Sequence, residues 1–155
     1  MRLSSILFFV IIFLSSCNTE VVFDDYKTFD DKVWNSDSLV VFNYSVSDTV
    51  VKNNIAIKVR HTVDYEFQNL FLFAKEDGVV TDTIEILLAN KLGKWLGKGI
   101  GDVREVEHNF KQVTFPKTGN FTFEIEQAMR YGSLEKIKHL KAIDAVGLRI
   151  EKKYE

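Results

Sequence analysis

Beyond Ser38 the chain alternates apolar and polar residues with a period of two, the repeat of a strand with one buried face. From Ile55 to Tyr65 the odd positions are mostly apolar and the even ones mostly polar. A helix would scatter those apolar side chains around its axis, whereas a strand gathers them on one face. Val40, Phe42, Tyr44 and Val46 form a second such face, although Val41 blurs it. Phe121, Phe123, Ile125 and Met129 alternate with Thr122, Glu124 and Glu126, and Val146, Leu148 and Ile150 with Gly147, Arg149 and Glu151. The runs Leu70 to Phe73 and Ile84 to Leu88 flank Asp77-Gly78, a dipeptide suited to the positive φ of a hairpin turn. Val103 to Val113 predicts one more strand, and Val21-Val22-Phe23 a short first one.

Turns are expected at Asn53-Asn54, at Pro116 to Gly119 and at Asn120. One short helix is expected over Ser133 to Leu140, with Ser133 as N-cap and Lys136, Lys138 and Lys141 towards its end. Strands at this spacing, each with one half-polar face, pack best as two antiparallel sheets. The expected fold is therefore all-β: an antiparallel β-sandwich of about eight strands, with jelly-roll connections one way of joining them.

The N-terminus departs from this pattern. After Met1-Arg2 comes an apolar run, Leu3 to Leu14, then Ser15-Ser16-Cys17. One basic residue, about a dozen apolar residues and a small-residue exit make a signal peptide. The run is too short for a spanning helix, which needs about 20 apolar residues. Leu14-Ser15-Ser16-Cys17 matches a bacterial lipobox, in which the cysteine becomes acylated. The ordinary alternative is a plain signal peptide with an incidental cysteine. Residues 1–16 are read as the lipoprotein signal peptide, 17–37 as a lipid-anchored tether holding the short first strand, and 38–155 as the sandwich domain. Cleavage before Cys17 leaves 139 residues and a formal charge of −3, with 19 Lys+Arg against 22 Asp+Glu. Stable anchoring takes more than one acyl chain, and palmitate-type diacylation of the thiol, with a third chain on the new amine, supplies it. Asp24-Asp25 and Asp30-Asp31 keep the tether solvated or steer sorting, and Trp34 is expected to pack where tether meets domain.

Composition narrows the chemistry. The whole chain carries 20 Lys+Arg against 22 Asp+Glu, which argues against a nucleic-acid partner. Cys17 is the one cysteine, so no disulfide framework exists, and as the acylated residue it is no metal ligand or nucleophile. His61, His108 and His139 are isolated, without an HExxH pair, and no GxSxG elbow occurs. Glu124 and Glu126 share a strand face, as they would on any solvated strand. No catalytic activity, metal or cofactor is expected beyond the covalent lipid.

One loop stands apart. Lys91 to Asp102 holds four of the eight glycines, three lysines and one of the two tryptophans. Its glycine spacing fits neither a phosphate loop nor a dinucleotide loop. What remains is a backbone free to adopt positive φ and to approach a neighbour closely. Either Trp95 caps the core, or Lys94, Trp95 and Lys98 dock a partner, since Trp often anchors interfaces.

The lipobox, the segment Gly78 to Glu85, the loop Gly93 to Asp102 and the tail segments Glu126 to Arg130 and Asp144 to Glu151 resemble the GldH family of gliding-motility lipoproteins of Bacteroidota. The likeness runs over nearly the whole chain, and Cys17 matches the family's lipid-bearing cysteine. It implies a cell-envelope protein needed for gliding and linked to type IX secretion, with other gliding-motility envelope proteins as partners. It implies no known catalytic chemistry. The stretch Tyr131 to Ala142 is longer than the family pattern. The expected role is a non-catalytic lipoprotein that holds or stabilises partners, anchored in the cell envelope, with the periplasmic face of the outer membrane favoured over the inner membrane. The alternative is a surface lipoprotein that binds a glycan or small ligand on a sandwich face.

Overall fold

The computed structural model describes residues 20–154. Ten strands run in the order β1 (Val21–Thr28), β2 (Val33–Asn35), β3 (Val40–Val46), β4 (Asn53–Thr62), β5 (Asn69–Glu76), β6 (Val79–Leu87), β7 (Val103–Val113), β8 (Gly119–Gln127), β9 (His139–Lys141) and β10 (Ile143–Lys152). Two four-stranded sheets, ordered β1-β10-β4-β7 and β3-β8-β5-β6, are entirely antiparallel, and β2 pairs with β9 as a separate ribbon. The pairings are nested: first strand with last, second with ninth, third with eighth, fourth with seventh, fifth with sixth. A long hairpin makes those pairs, and winding it up divides them between two sheets, as in a jelly roll.

The core lies between the sheets. Phe42, Leu72, Phe123 and Ile125 from one sheet meet Ile57, Val59, Leu148 and Ile150 from the other, all buried. Edge-to-face aromatic pairs cross the interface, Phe23 on Phe42 at 6.1 Å and Phe110 on Phe123 at 5.9 Å. The expected strands from Val40, Ile55, Leu70, Ile84, Val103, Phe121 and Val146 are all present. Asp77 and Gly78 take φ of 48° and 80° in the β5–β6 hairpin, as their sequence predicts.

Three expectations change. The strand count rises from eight to ten, because the three-residue strands β2 and β9 are too short to show a period. The helix over Ser133 to Leu140 does not form. Its backbone groups serve the sheets instead: Ile137 N–H donates to Met129 O, and His139–Lys141 pairs with β2, setting Leu140 opposite Trp34. An eight-residue helix is marginal by itself, so burial of Leu140 and Trp34 decides the conformation. Asn53, Asn54 and Asn120 also lie inside strands rather than turns. Asn53 is buried and donates from Nδ2 to Val51 O, and Asn120 accepts from Ser45, so each polar side chain has a partner beside its strand.

Trp34 is fully buried, stacked on Phe29 at 4.9 Å, with Nε1 donating to Ser38 O. The first strand extends well beyond Phe23: β1 runs to Thr28 and forms the sheet edge against β10. The Tyr26 ring lies over Gly147, where an added Cβ would come within 2.7 Å of the ring. Gly147→Val should therefore push Tyr26 off and weaken the β1 edge, lowering the unfolding free energy by about 1 to 3 kcal/mol in urea denaturation of a chain beginning at Asn18. Unchanged stability would contradict this packing.

Candidate functional site

Two ends of the molecule differ in what they gather. The strand register puts the β5–β6 hairpin, the β3–β4 and β7–β8 connections and both ends of the described residues, Glu20 and Tyr154, at one end. The β6–β7 loop, the β2–β9 ribbon and the residues between β8 and β9 lie at the other.

The β6–β7 loop divides its glycines between two tasks. Gly93 and Gly101 have φ of 77° and 62°, a region that side chains with a Cβ disfavour. Gly97 and Gly99 instead press against β7. A Cβ on Gly97 would stand 2.8 Å from Glu105 O, and one on Gly99 would overlap Val103 O. The contact is closed by reciprocal backbone bonds, Lys98 N–H to Glu105 O at 3.0 Å and Glu105 N–H to Lys98 O at 2.7 Å. Asn90 Oδ1 accepts from the N–H groups of Leu92 and Lys94, fixing the loop's first turn. The second half of the loop is thus bound to β7 through Gly97, Lys98 and Gly99.

Trp95 is half-buried and meets His61 with ring centroids 4.7 Å apart. Lys94, Leu96 and Lys98 are exposed around it. Trp95 therefore covers the core edge and borders solvent. His61 is fully buried, with Nδ1 2.9 Å from Thr62 O and Nε2 without a hydrogen-bond partner. Burial holds its pKa below the ordinary histidine value, so the ring is neutral near pH 7.

Beside the loop, two open hollows of about 690 and 680 Å³ meet at Glu66 and Phe67. Tyr131 packs edge-on against Phe67 at 5.9 Å, and Leu134, Leu87 and Leu96 are exposed around them. The unexpected stretch after Met129 thus supplies Tyr131 and Leu134 to an apolar groove. Sequence reading missed this groove, because its residues come from two stretches distant in the chain, 66–67 and 131–141.

Also missed was the outer face of the β1-β10-β4-β7 sheet. Lys58 donates to both oxygens of Asp24 at 2.6 and 2.8 Å, and Arg149 bridges Asp24 and Glu151 at 2.9 and 3.0 Å. Glu105 accepts from Arg60 at 2.6 Å and from the Tyr26 hydroxyl at 2.9 Å, and the Arg60 guanidinium sits 3.9 Å from the Tyr26 ring. Burial pushes the Lys58 pKa down, but hydrogen bonds to Asp24 and Tyr26 outweigh it and leave the ammonium above its usual value. This face is polar, and its half-buried charges are paired with one another.

The remaining candidates do not converge. Glu126 is bound by Lys75 at 2.8 Å and Lys136 at 3.1 Å, and the Lys75 hydrogen bond is the main cause of its lowered pKa. Its strand neighbour Glu124 is not joined to it. His108 is half-buried on β7 and His139 exposed on β9. No group of three or more metal-binding side chains occurs among the described residues. Phe71 and Phe73 are half-buried on the outer face of β5, beside Thr83, Ala128 and Arg130 in a shallow hollow of about 400 Å³. Cys17 lies outside the described residues.

The family model described as GldH lipoprotein matches residues 21–150. A protein of Christiangramia forsetii named gliding motility lipoprotein GldH homolog is 37% identical over 153 residues, covering 95% of this chain and 93% of its own length. Gliding motility lipoprotein GldH of Flavobacterium johnsoniae is 35% identical over 155 residues, covering 97% and 96%. No solved structure matches the chain.

The Trp95–His61 contact gives a pH signature. Because the folded pKa lies below the unfolded value of about 6.5, the native state gains stability above that pH and loses it as pH falls through the interval between the two values. The loss is at most about 1.4 kcal/mol per pH unit. Trp95→Ala should admit water to His61, move its NMR-titrated pKa towards the ordinary value and flatten this pH dependence. An unmoved titration would mean that Trp95 does not shield the ring.

Proposed function

This chain belongs to the GldH lipoprotein family, and we propose that it serves the gliding machinery as a non-catalytic scaffold, acylated at Cys17 and docking partner envelope proteins through the loop of Lys94, Trp95 and Lys98. The names of the family and its relatives describe a motility lipoprotein, which sets the envelope and membrane anchoring as the context. Within that context the favoured site is the periplasmic face of the outer membrane, and the partners are other gliding components of machinery linked to type IX secretion.

The observation that carries this reading is the bracing of the β6–β7 loop. Gly97 and Gly99 clamp its backbone to β7 while Lys94, Leu96 and Lys98 face outwards. A loop ordered before binding loses little further entropy on docking, which is what an interface anchor requires. The apolar groove of Phe67, Tyr131 and Leu134 enlarges the same surface. The paired charges of the other face favour a scaffold over a hydrolase, because the carboxylates of Asp24, Glu105 and Glu151 there are already occupied by cations or a hydroxyl.

Two experiments test the two halves of the proposal. Cys17→Ser should abolish incorporation of a fatty-acid probe and leave an uncleaved precursor; label on that variant would sink the anchor. The double change of Lys94 and Lys98 to Ala should shift the domain's stability by no more than about half a kcal/mol, as exposed charges usually do. It should nevertheless reduce partner recovery after mild crosslinking and impair gliding. Normal gliding with full partner recovery would remove this loop from the interface.

A further inference from the structure

The described chain begins at Glu20, and Glu20 is held firmly. Its carboxylate accepts from Lys152 Nζ at 2.9 Å and from the Tyr154 hydroxyl at 2.7 Å, and its carbonyl accepts from Lys152 N–H at 2.8 Å. Cys17 stands three residues earlier. Three residues reach at most about 10 Å even when fully extended. An acyl group on Cys17 therefore leaves the domain almost no slack, and the end that carries Glu20 must lie at the bilayer.

The side chains displayed at that end suit such a surface. Val50 on the β3–β4 loop is 85% exposed, and Val79 and Val80, just past the hairpin turn, are 67% and 56% exposed. Tyr154 is half-exposed beside the tether, the kind of amphipathic ring that settles at headgroup level. Lys52, Lys117 and Lys153 are exposed and form no ion pair among the described residues. Three acids of the same end are paired with cations, and a fourth takes a backbone hydrogen bond. Glu20 and Asp48 share Lys152, Glu76 pairs with Lys111, and Asp77 Oδ1 accepts from Thr122 N–H. The result is a rim of apolar side chains and unpaired cations around the point where the anchor leaves.

We propose that this end, with Val50, Val79, Val80 and Tyr154 among Lys52, Lys117 and Lys153, is a membrane-contact surface that seats the domain upright on the lipid headgroups. The inference rests on acylation at Cys17 and adds an orientation to it. Strands of ten residues at about 3.3 Å per residue then carry the β6–β7 loop some 30 Å clear of the bilayer. Docking and anchoring are thereby assigned to opposite ends.

The mature acylated lipoprotein, reconstituted in vesicles of phosphatidylethanolamine with a minority of phosphatidylglycerol, tests this. Acylation blocks the one native thiol, so single cysteines at Val50, Val79, Leu92 and Ile100 accept a polarity-sensitive fluorophore selectively. Labels at Val50→Cys and Val79→Cys should shift to the blue and be quenched by lipid-borne spin labels. Labels at Leu92→Cys and Ile100→Cys should stay aqueous. Equal exposure of all four, or shielding at Leu92 and Ile100 instead, overturns the orientation. Blue-shifted labels at Val50 and Val79 without vesicles would show a second protein copy covering that end, and would overturn it too. Failure of the anchor itself reads differently: the protein would lack acyl mass and would not float with vesicles.

Discussion

Every strand among the described residues pairs with its mirror image in the sequence, first with last and inward to the fifth and sixth, and this nesting governs the rest. It brings β1 beside β10, so the first strand is tied to the last one rather than left loose. It also sends the β5–β6 hairpin to the same end as Glu20 and Tyr154, and the β6–β7 loop to the opposite end. Like β7, β3 and β6, β1 is an edge strand with a strand on one flank alone among the described residues. Tyr26 over Gly147, and the Asp24 pairs with Lys58 and Arg149, support β1 from across the sheet.

Much of the fold was legible because burial on one face of a strand writes a period of two into the sequence. The four alternating segments, from Val40, Ile55, Phe121 and Val146, all became strands. Three-residue strands carry no such period, so β2 and β9 could not be found, and with β9 went the helix expected over Ser133 to Leu140. Leu134, Ile137 and Leu140 are spaced as on a helical face, yet the buried contact between Trp34 and Leu140 outweighs the weak propensity of so short a helix. The buried Asn53 misled for a related reason: a residue type common in turns satisfies a loop carbonyl from inside a strand.

The candidate site was legible in chemistry but not in arrangement. A loop of four glycines, three lysines and a tryptophan announces close backbone approach and an exposed anchor. Which glycines serve positive φ and which serve contact with β7 depends on a strand that begins after the loop ends. The groove of Phe67, Tyr131 and Leu134 and the charge ladder of Asp24, Lys58, Arg60 and Glu105 join residues distant in the chain, so no local pattern encodes them.

The proposed anchor at the Glu20 end and the proposed docking at the braced β6–β7 loop make two opposite poles. The most direct measurement is photo-crosslinking in gliding cells from one probe at Leu96 and another at Val50. The account predicts protein adducts from Leu96, with lipid adducts and no shared protein partner from Val50. Protein adducts from Val50 together with none from Leu96 would contradict it.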